Sequence, residues 1–283
     1  VGCHTDPFPR WAWEHWVWED ESTQESATAL VGGYQERGIP VAAIIIDSPW
    51  ATGYNTFTWD TSLFPNPQGF IDDMHTKDVR VILWVVPAIN EDVPDLYAYA
   101  KEKNYFMQVS ANNATTSFNW WKGDGALIDL FNPEALAWWH SLLDPILAMG
   151  IDGWKCDGLD FHTLTHGYSP YLKSQVERSD YSNLYYRDFL EYTRLKLDDD
   201  RINMVRPVDN YGVIGLGGDD YAFAPVDMTV VGWVGDQDAS FIGLRNALDN
   251  MLQSTLLGYV GLGSDIGGYR QDKEIEGGRD RLV

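Results

Sequence analysis

The chain has few cysteines, few basic residues and no long apolar run, and each shortage excludes something. Two cysteines, Cys3 and Cys156, in 283 residues rule out a disulfide-built scaffold. Lys and Arg total 20 against 42 Asp and Glu, a formal net charge of −22. Nucleic acid and anionic membrane surfaces both need a basic partner, so neither is expected to bind. No uncharged apolar stretch reaches the roughly 18 residues of a bilayer span, so no membrane insertion is expected. Histidine is scarce too, and His4, His162 and His166 form no spaced metal set. Gly215-Leu216-Gly217-Gly218 does not continue into the Lys-Ser/Thr of a phosphate loop. No metal or organic cofactor is implied.

What is present is aromatic and alternating. The chain holds 13 Trp, and short β-branched runs alternate with amphipathic helical segments. That alternation predicts a parallel α/β fold. Strands are expected over residues 11–18, 41–47, 79–86, 151–157, 202–206, 228–232 and 258–264, and helices over 23–37, 67–77, 133–149, 182–197 and 241–257. The runs Ala42-Ala43-Ile44-Ile45-Ile46 and Val81-Ile82-Leu83-Trp84-Val85-Val86 are almost wholly apolar, which suits strands covered on both faces. Residues with chemistry fall at the C-terminal ends of these runs: Asp47, Trp84, Asp157, Arg206, Asp236 and Asp265. In a (β/α)₈ barrel that rim carries the active site. Seven strands are counted and no eighth, so the expected fold is a TIM barrel cut short before strand eight. One domain, residues 1–283, is expected, as a fragment of a larger multidomain protein.

Two aspartates stand out by their settings. Asp157 lies in Gly153-Trp154-Lys155-Cys156-Asp157-Gly158 and Asp236 in Trp233-Val234-Gly235-Asp236-Gln237. Paired carboxylates beside tryptophans are the basic equipment of glycoside hydrolysis, with the indole faces offering platforms for sugar rings. Each has a plainer reading: Asp157 closes a strand, and Asp236, Asp238 and Ser240 are all suited to cap the helix that follows. Cys156 sits in an apolar run and reads as a buried free thiol. Trp50 and Trp154 read as core.

The segments Ile45-Ile46-Asp47-Ser48-Pro49-Trp50, Phe57-Thr58-Trp59-Asp60, Trp120-Trp121-Lys122-Gly123, Asp129-Leu130-Phe131-Asn132-Pro133 and above all Trp233-Val234-Gly235-Asp236 with Gly258 to Tyr269 resemble glycoside hydrolase family 31. Members are retaining α-glycosidases with a nucleophile after strand four and an acid/base after strand six. The strand count puts Asp157 and Asp236 at those two places. The resemblance therefore implies Asp157 as nucleophile and Asp236 as general acid/base, with no cofactor. Substrate contacts are implied at Asp47, Trp84, Lys155, Arg206, Trp233 and Asp265. Lys155 either favours the ionised Asp157 or bonds a sugar hydroxyl; Trp84 either stacks on the sugar or fills the barrel; Asp265 either faces the sugar or ties down the following glycines. Lys155-Cys156-Asp157 is similar to the Lys-x-Asp branch, which includes α-galactosidases, α-xylosidases and some α-glucosidases. The expected carbohydrate substrate is a terminal α-linked hexose or pentose. Departures are Asp160 where a Glu is usual, no strand-eight His after Asp265, and no flanking β-sandwich domains, which are expected in the full-length protein. Such enzymes usually act at the cell surface or in the periplasm. Two other readings stand beside this one, an inverting barrel glycosidase and an inactive carbohydrate-binding relative.

Overall fold

The computed structural model describes residues 9–115, 117–120, 122–157, 167–206 and 224–270. Seven parallel strands follow one another around a curled sheet in chain order. They are β1 (Trp16–Glu19), β2 (Ala43–Ile46), β3 (Arg80–Val85), β4 (Gly153–Cys156), β5 (Ile202–Val205), β6 (Val231–Trp233) and β7 (Leu262–Gly263). Each expected strand is matched by one of these, in a family of folds where loops at the strand C-termini build the site. β2 is buried at every position and β3 at all but the first, as strands covered by helices outside and side chains inside must be.

The first strand starts later than its sequence suggests. Arg10–Trp13 form a 3₁₀ turn, and β1 begins only at Trp16. The reason is packing: Trp11 is 8% exposed and stacks on Trp16 at 5.3 Å, among Ala42, Ala43, Ile82, Ile202 and Val230. Those neighbours sit at or near strand beginnings, so Trp11 closes the bottom of the barrel instead of lengthening a strand.

Helices α1 (Gln24–Glu36), α2 (Pro67–Thr76), α3 (Pro94–Glu102), α4 (Pro133–Leu147), α5 (Arg178–Lys196) and α6 (Phe241–Leu256) complete the described chain. Their starts follow local chemistry. Thr23 and Ser26 form a reciprocal capping box, and Asn66 and Asn132 cap helices whose first residue is Pro. Ser240 accepts from the Gly243 N–H at the start of α6, which leaves Asp236 free of the capping role its position allowed. α3 was not foreseen.

Below the sheet, Asp152 is wholly buried and accepts from the Val81 N–H at 2.9 Å, from Arg80 at 3.2 Å and Arg201 at 3.4 Å, and bonds His75 at 2.7 Å. This network ties the starts of β3, β4 and β5. β4 and β5 approach so closely there that a Cβ on Gly153 would lie 1.8 Å from the Ile202 carbonyl oxygen.

Two small antiparallel sheets, absent from the sequence reading, stand above the rim. Ala88–Asn90, Ser117–Trp120 and Gly123–Leu127 form one. Gln108–Ser110, Asn113–Thr115, Gly167–Ser169 and Ser174–Val176 form the other, joining the connections after β3 and β4. Buried Asp129, just after the Gly123–Leu127 strand, links the two sheets by accepting from the Ser169 hydroxyl, at 2.8 Å to one oxygen. Among the described residues no helix is long and apolar enough to cross a membrane.

Candidate active site

The carboxylates that the sequence spaces from Asp47 to Asp265 converge at the C-terminal rim. Asp157 directly follows β4; its own N–H donates to the Val85 carbonyl at 2.9 Å, which pins the turn. The Tyr185 hydroxyl donates to the Val85 carbonyl at 3.0 Å and reaches the Asp157 carbonyl at 3.3 Å. Asp236 follows β6 through Gly235, whose φ of 88° is a left-handed turn that glycine adopts freely.

Arg206, at the end of β5, lies between them. Its Nε donates to Asp157 Oδ1 at 2.8 Å and its Nη2 to Asp236 Oδ1 at 3.1 Å. Arg206 is 2% exposed and its guanidinium stands 4.6 Å over the Trp233 ring. One planar cation thus sets the spacing of both carboxylates. The other oxygen of Asp157 accepts from Trp84 Nε1 at 2.9 Å. Trp84, 4% exposed, therefore uses its indole N–H to orient Asp157, a function neither sequence alternative included. The two carboxyl groups differ in access: the Asp157 side chain is 8% exposed and the Asp236 side chain 25%.

Asp47 ends β2 on the far side of the barrel. Its Oδ2 accepts from Trp18 Nε1 at 2.5 Å and from Lys155 Nζ at 2.7 Å, and its Oδ1 from the Ser48 N–H at 2.8 Å. Lys155 is directed at Asp47 and is held between the Trp18 and Trp233 rings, 5.2 Å from each. Burial alone would depress the Lys155 pKa; attraction to Asp47 and then to Asp157 outweighs it, and the ammonium ends above its ordinary value. Trp233 thus packs against both central cations.

Asp47, Trp84, Lys155, Asp157, Trp233 and Asp236, with Trp18, Asp20, Ser48, Lys122, Asp265 and Tyr269, line a pocket of about 100 Å³, and Arg206 lies behind its two catalytic candidates. That space holds on the order of seven to ten water-sized groups, the scale of one sugar ring. The structure brings together all eight site residues singled out in the sequence. It adds Trp18, Asp20, Ser48, Lys122 and Tyr269. Trp18 and Asp20 lie at and just beyond the end of β1, where the strand-end rule would have found them had the strand been placed at 16–19. Lys122 comes from a hairpin tip that no periodicity marks. Cys156 is buried and free, and burial pushes its thiol pKa up. Asp160, His162, His166 and residues 215–218 lie outside the described residues. Among the described residues no cluster of His, Cys, Asp and Glu fits a metal ion.

Asp265, just after β7, is half-buried, and its carboxyl pKa is raised. Burial is the main cause, with Asp236 and Asp47 adding to it against Lys155 and Arg206. A folded-state value above the unfolded one means that stability is fullest below the unfolded value and falls as pH rises through the folded one. Asp265→Asn is therefore expected to raise Tm at pH 7 and to raise it much less near pH 3.5, below the ordinary aspartate value. Melting curves at the two pH values check this; an equal gain at both would refute the titration as its cause.

A family model, the TIM-barrel domain of glycosyl hydrolases family 31, matches residues 5–276. The alpha-xylosidase XylQ of Lactiplantibacillus pentosus is 29% identical over 154 residues, 53% of this chain and 20% of that protein. An alpha-glucosidase of Saccharolobus solfataricus is 24% identical over 311 residues, 98% of this chain and 43% of that protein. A family 31 dextranase of Flavobacterium johnsoniae, solved with glucose, superposes with a TM-score of 0.78 at 18% identity, over 94% of this chain and 33% of that one. The chain thus spans between a fifth and about two-fifths of these curated relatives. With the family model covering nearly the whole of it and the superposition agreeing on the fold, this chain belongs to glycosyl hydrolase family 31 and carries that family's TIM-barrel domain.

Proposed function

We propose that the chain is the catalytic barrel of a retaining α-glycosidase that removes a terminal α-linked hexose or pentose. The observation that carries this reading is Arg206 bridging a buried Asp157 and a more open Asp236. A nucleophile belongs beneath the sugar, fixed and ionised, and Asp157 is held by Trp84 and Arg206 as an acceptor on both oxygens. An acid/base must exchange protons with a leaving group and then with water, and Asp236 has the access for it.

In the first step an Asp157 oxygen bonds the anomeric carbon while the glycosidic C–O bond breaks. The Asp236 proton passes to the departing oxygen. In the second, Asp236 takes a proton from water as that water's oxygen displaces Asp157 from the same carbon. Arg206 partners Asp236 as an anion, so delivery of the proton requires that contact to open when the leaving group enters. Five carboxylates (Asp20, Asp47, Asp157, Asp236, Asp265) face three cations (Lys122, Lys155, Arg206), which favours a neutral sugar over an anionic one.

Relatives named as an alpha-xylosidase and an alpha-glucosidase support the substrate class. Residues 1–283 act here as one barrel domain of a longer protein with flanking domains, in keeping with the share of the relatives that the chain spans. Following p-nitrophenyl α-glucoside, α-galactoside and α-xyloside by proton NMR tests the reaction. The first-formed sugar is expected to be the α-anomer. A β-anomer would replace this mechanism with direct displacement by water, and no cleavage of any of the three would remove the hydrolase reading.

A further inference from the structure

We infer that Trp120, on the hairpin formed by Ser117–Trp120 and Gly123–Leu127, is a positioning residue for the nucleophile: it holds the Trp84 indole in the orientation that aims its N–H at Asp157. This rests on the reading of Asp157 as nucleophile and adds the hairpin to the catalytic apparatus. Asp157 is held at two points, its Oδ1 by Arg206 Nε at 2.8 Å and its Oδ2 by Trp84 Nε1 at 2.9 Å. Donors on both oxygens set the plane of the carboxylate as well as its place. Arg206 is fixed in turn by Asp236 and the Trp233 ring. What fixes the Trp84 ring lies outside the strand that carries it.

β3 settles only the Trp84 backbone, whose carbonyl accepts from Trp50 Nε1 at 2.8 Å. The outer torsion of a tryptophan is soft, so the tilt of its indole is decided by what the ring meets. The Trp120 ring lies parallel to that of Trp84, 10° between planes and 6.2 Å between centroids. Tyr54 closes the corner, at 72° to both rings, 6.1 Å from Trp84 and 5.5 Å from Trp120. Trp120 is itself clamped. Asn90, 1% exposed, accepts from Trp120 Nε1 at 2.9 Å and donates to the Lys122 carbonyl at 2.8 Å, so one amide holds both sides of the hairpin tip. Gly125 permits this approach, since a Cβ there would lie 2.8 Å from Asn90 Oδ1. Trp120 does not line the pocket around Asp157, so its contact with the reaction is through Trp84.

The test takes Trp120→Leu and Trp120→Phe, the first also in a Trp84→Phe background, where no indole N–H remains to be aimed. On whichever of the three p-nitrophenyl α-glycosides the wild type cleaves best, Trp120→Leu should lower kcat about tenfold and move KM by no more than about twofold. In the Trp84→Phe background the same substitution should change kcat by less than about twofold, because residues acting through one contact do not add. Trp120→Phe keeps a ring against Trp84 and should recover most of the loss. The Trp84 indole N–H proton resonance, identified by its disappearance in Trp84→Phe, gives a readout without turnover. It should move upfield in Trp120→Leu, as it should in Asp157→Asn, where the acceptor oxygen is gone. If the leucine variant does not fold, the phenylalanine variant replaces it, with a smaller shift of the same sign. A resonance that stays in place, a kcat loss equal in the two backgrounds, or a loss carried by KM overturns the inference and leaves the hydrolase reading standing. A wild type that cleaves none of the three overturns both, since no nucleophile is then left to position.

Discussion

Asp157→Asn should reduce turnover of an activated α-glycoside by about four orders of magnitude or more while leaving the fold intact. The amide is isosteric and keeps one oxygen for Arg206, but its NH₂ then faces the Trp84 N–H, so that hydrogen bond is lost and a buried donor is left unpaired, at about 1–3 kcal/mol. What it lacks is the anionic oxygen that forms the glycosyl ester. Steady-state kinetics and a melting curve on the same preparation separate the two effects. A variant within tenfold of wild type would remove Asp157 from the mechanism. One that fails to melt cooperatively would show the carboxylate to be structural first.

Arg206→Met should harm both activity and stability, because one cation bonds two carboxylates. Arg206 and Asp157 are both nearly inaccessible, 2% and 5% exposed, so the lost pairing leaves Asp157 charged and buried with a strong partner fewer. Breaking such a buried pair from one side costs about 3–5 kcal/mol. Activity should fall by about 10²- to 10³-fold as the spacing of the two carboxyl groups relaxes. Arg206→Lys separates geometry from charge. A single ammonium reaches one carboxylate where the guanidinium reaches both at 2.8 and 3.1 Å. The lysine variant should recover more stability than activity. Equal recovery of both, or a methionine variant of normal Tm, would contradict the bridging role.

How far this site was legible in the sequence depends on which interactions are local. The runs that became β2, β3 and β4 announce themselves by near-continuous apolar content, and the residue that ends each run lands on the rim by the geometry of the fold. Asp47 and Asp157 are legible that way. Asp236 was harder, since Ser240 and Asp238 competed with it for the helix cap; the coordinates give the cap to Ser240. Trp11 looked like strand and became a plug, because its partner Trp16 lies within reach only when the chain turns between them. The small sheets escaped notice because strands of three to five residues, rich in Gln, Ser, Asn and Gly, carry too short a period to register.

By itself the sequence determined the order of the parallel strands, the helix starts at Thr23, Asn66 and Asn132, and the two aspartates that carry the proposed chemistry. These follow from periodicity, capping and strand-end position, all of which act over a few residues. Only the tertiary structure decided who pairs with whom. Lys155, which the sequence leaves as favouring an ionised Asp157 or bonding a sugar hydroxyl, bonds Asp47, 108 residues away, between two indole rings. Trp84, which the sequence leaves as a sugar platform or barrel filling, is a donor to a carboxylate 73 residues away. Charge pairing and desolvation depend on distance and enclosure in space, and those exist only once the barrel has curled.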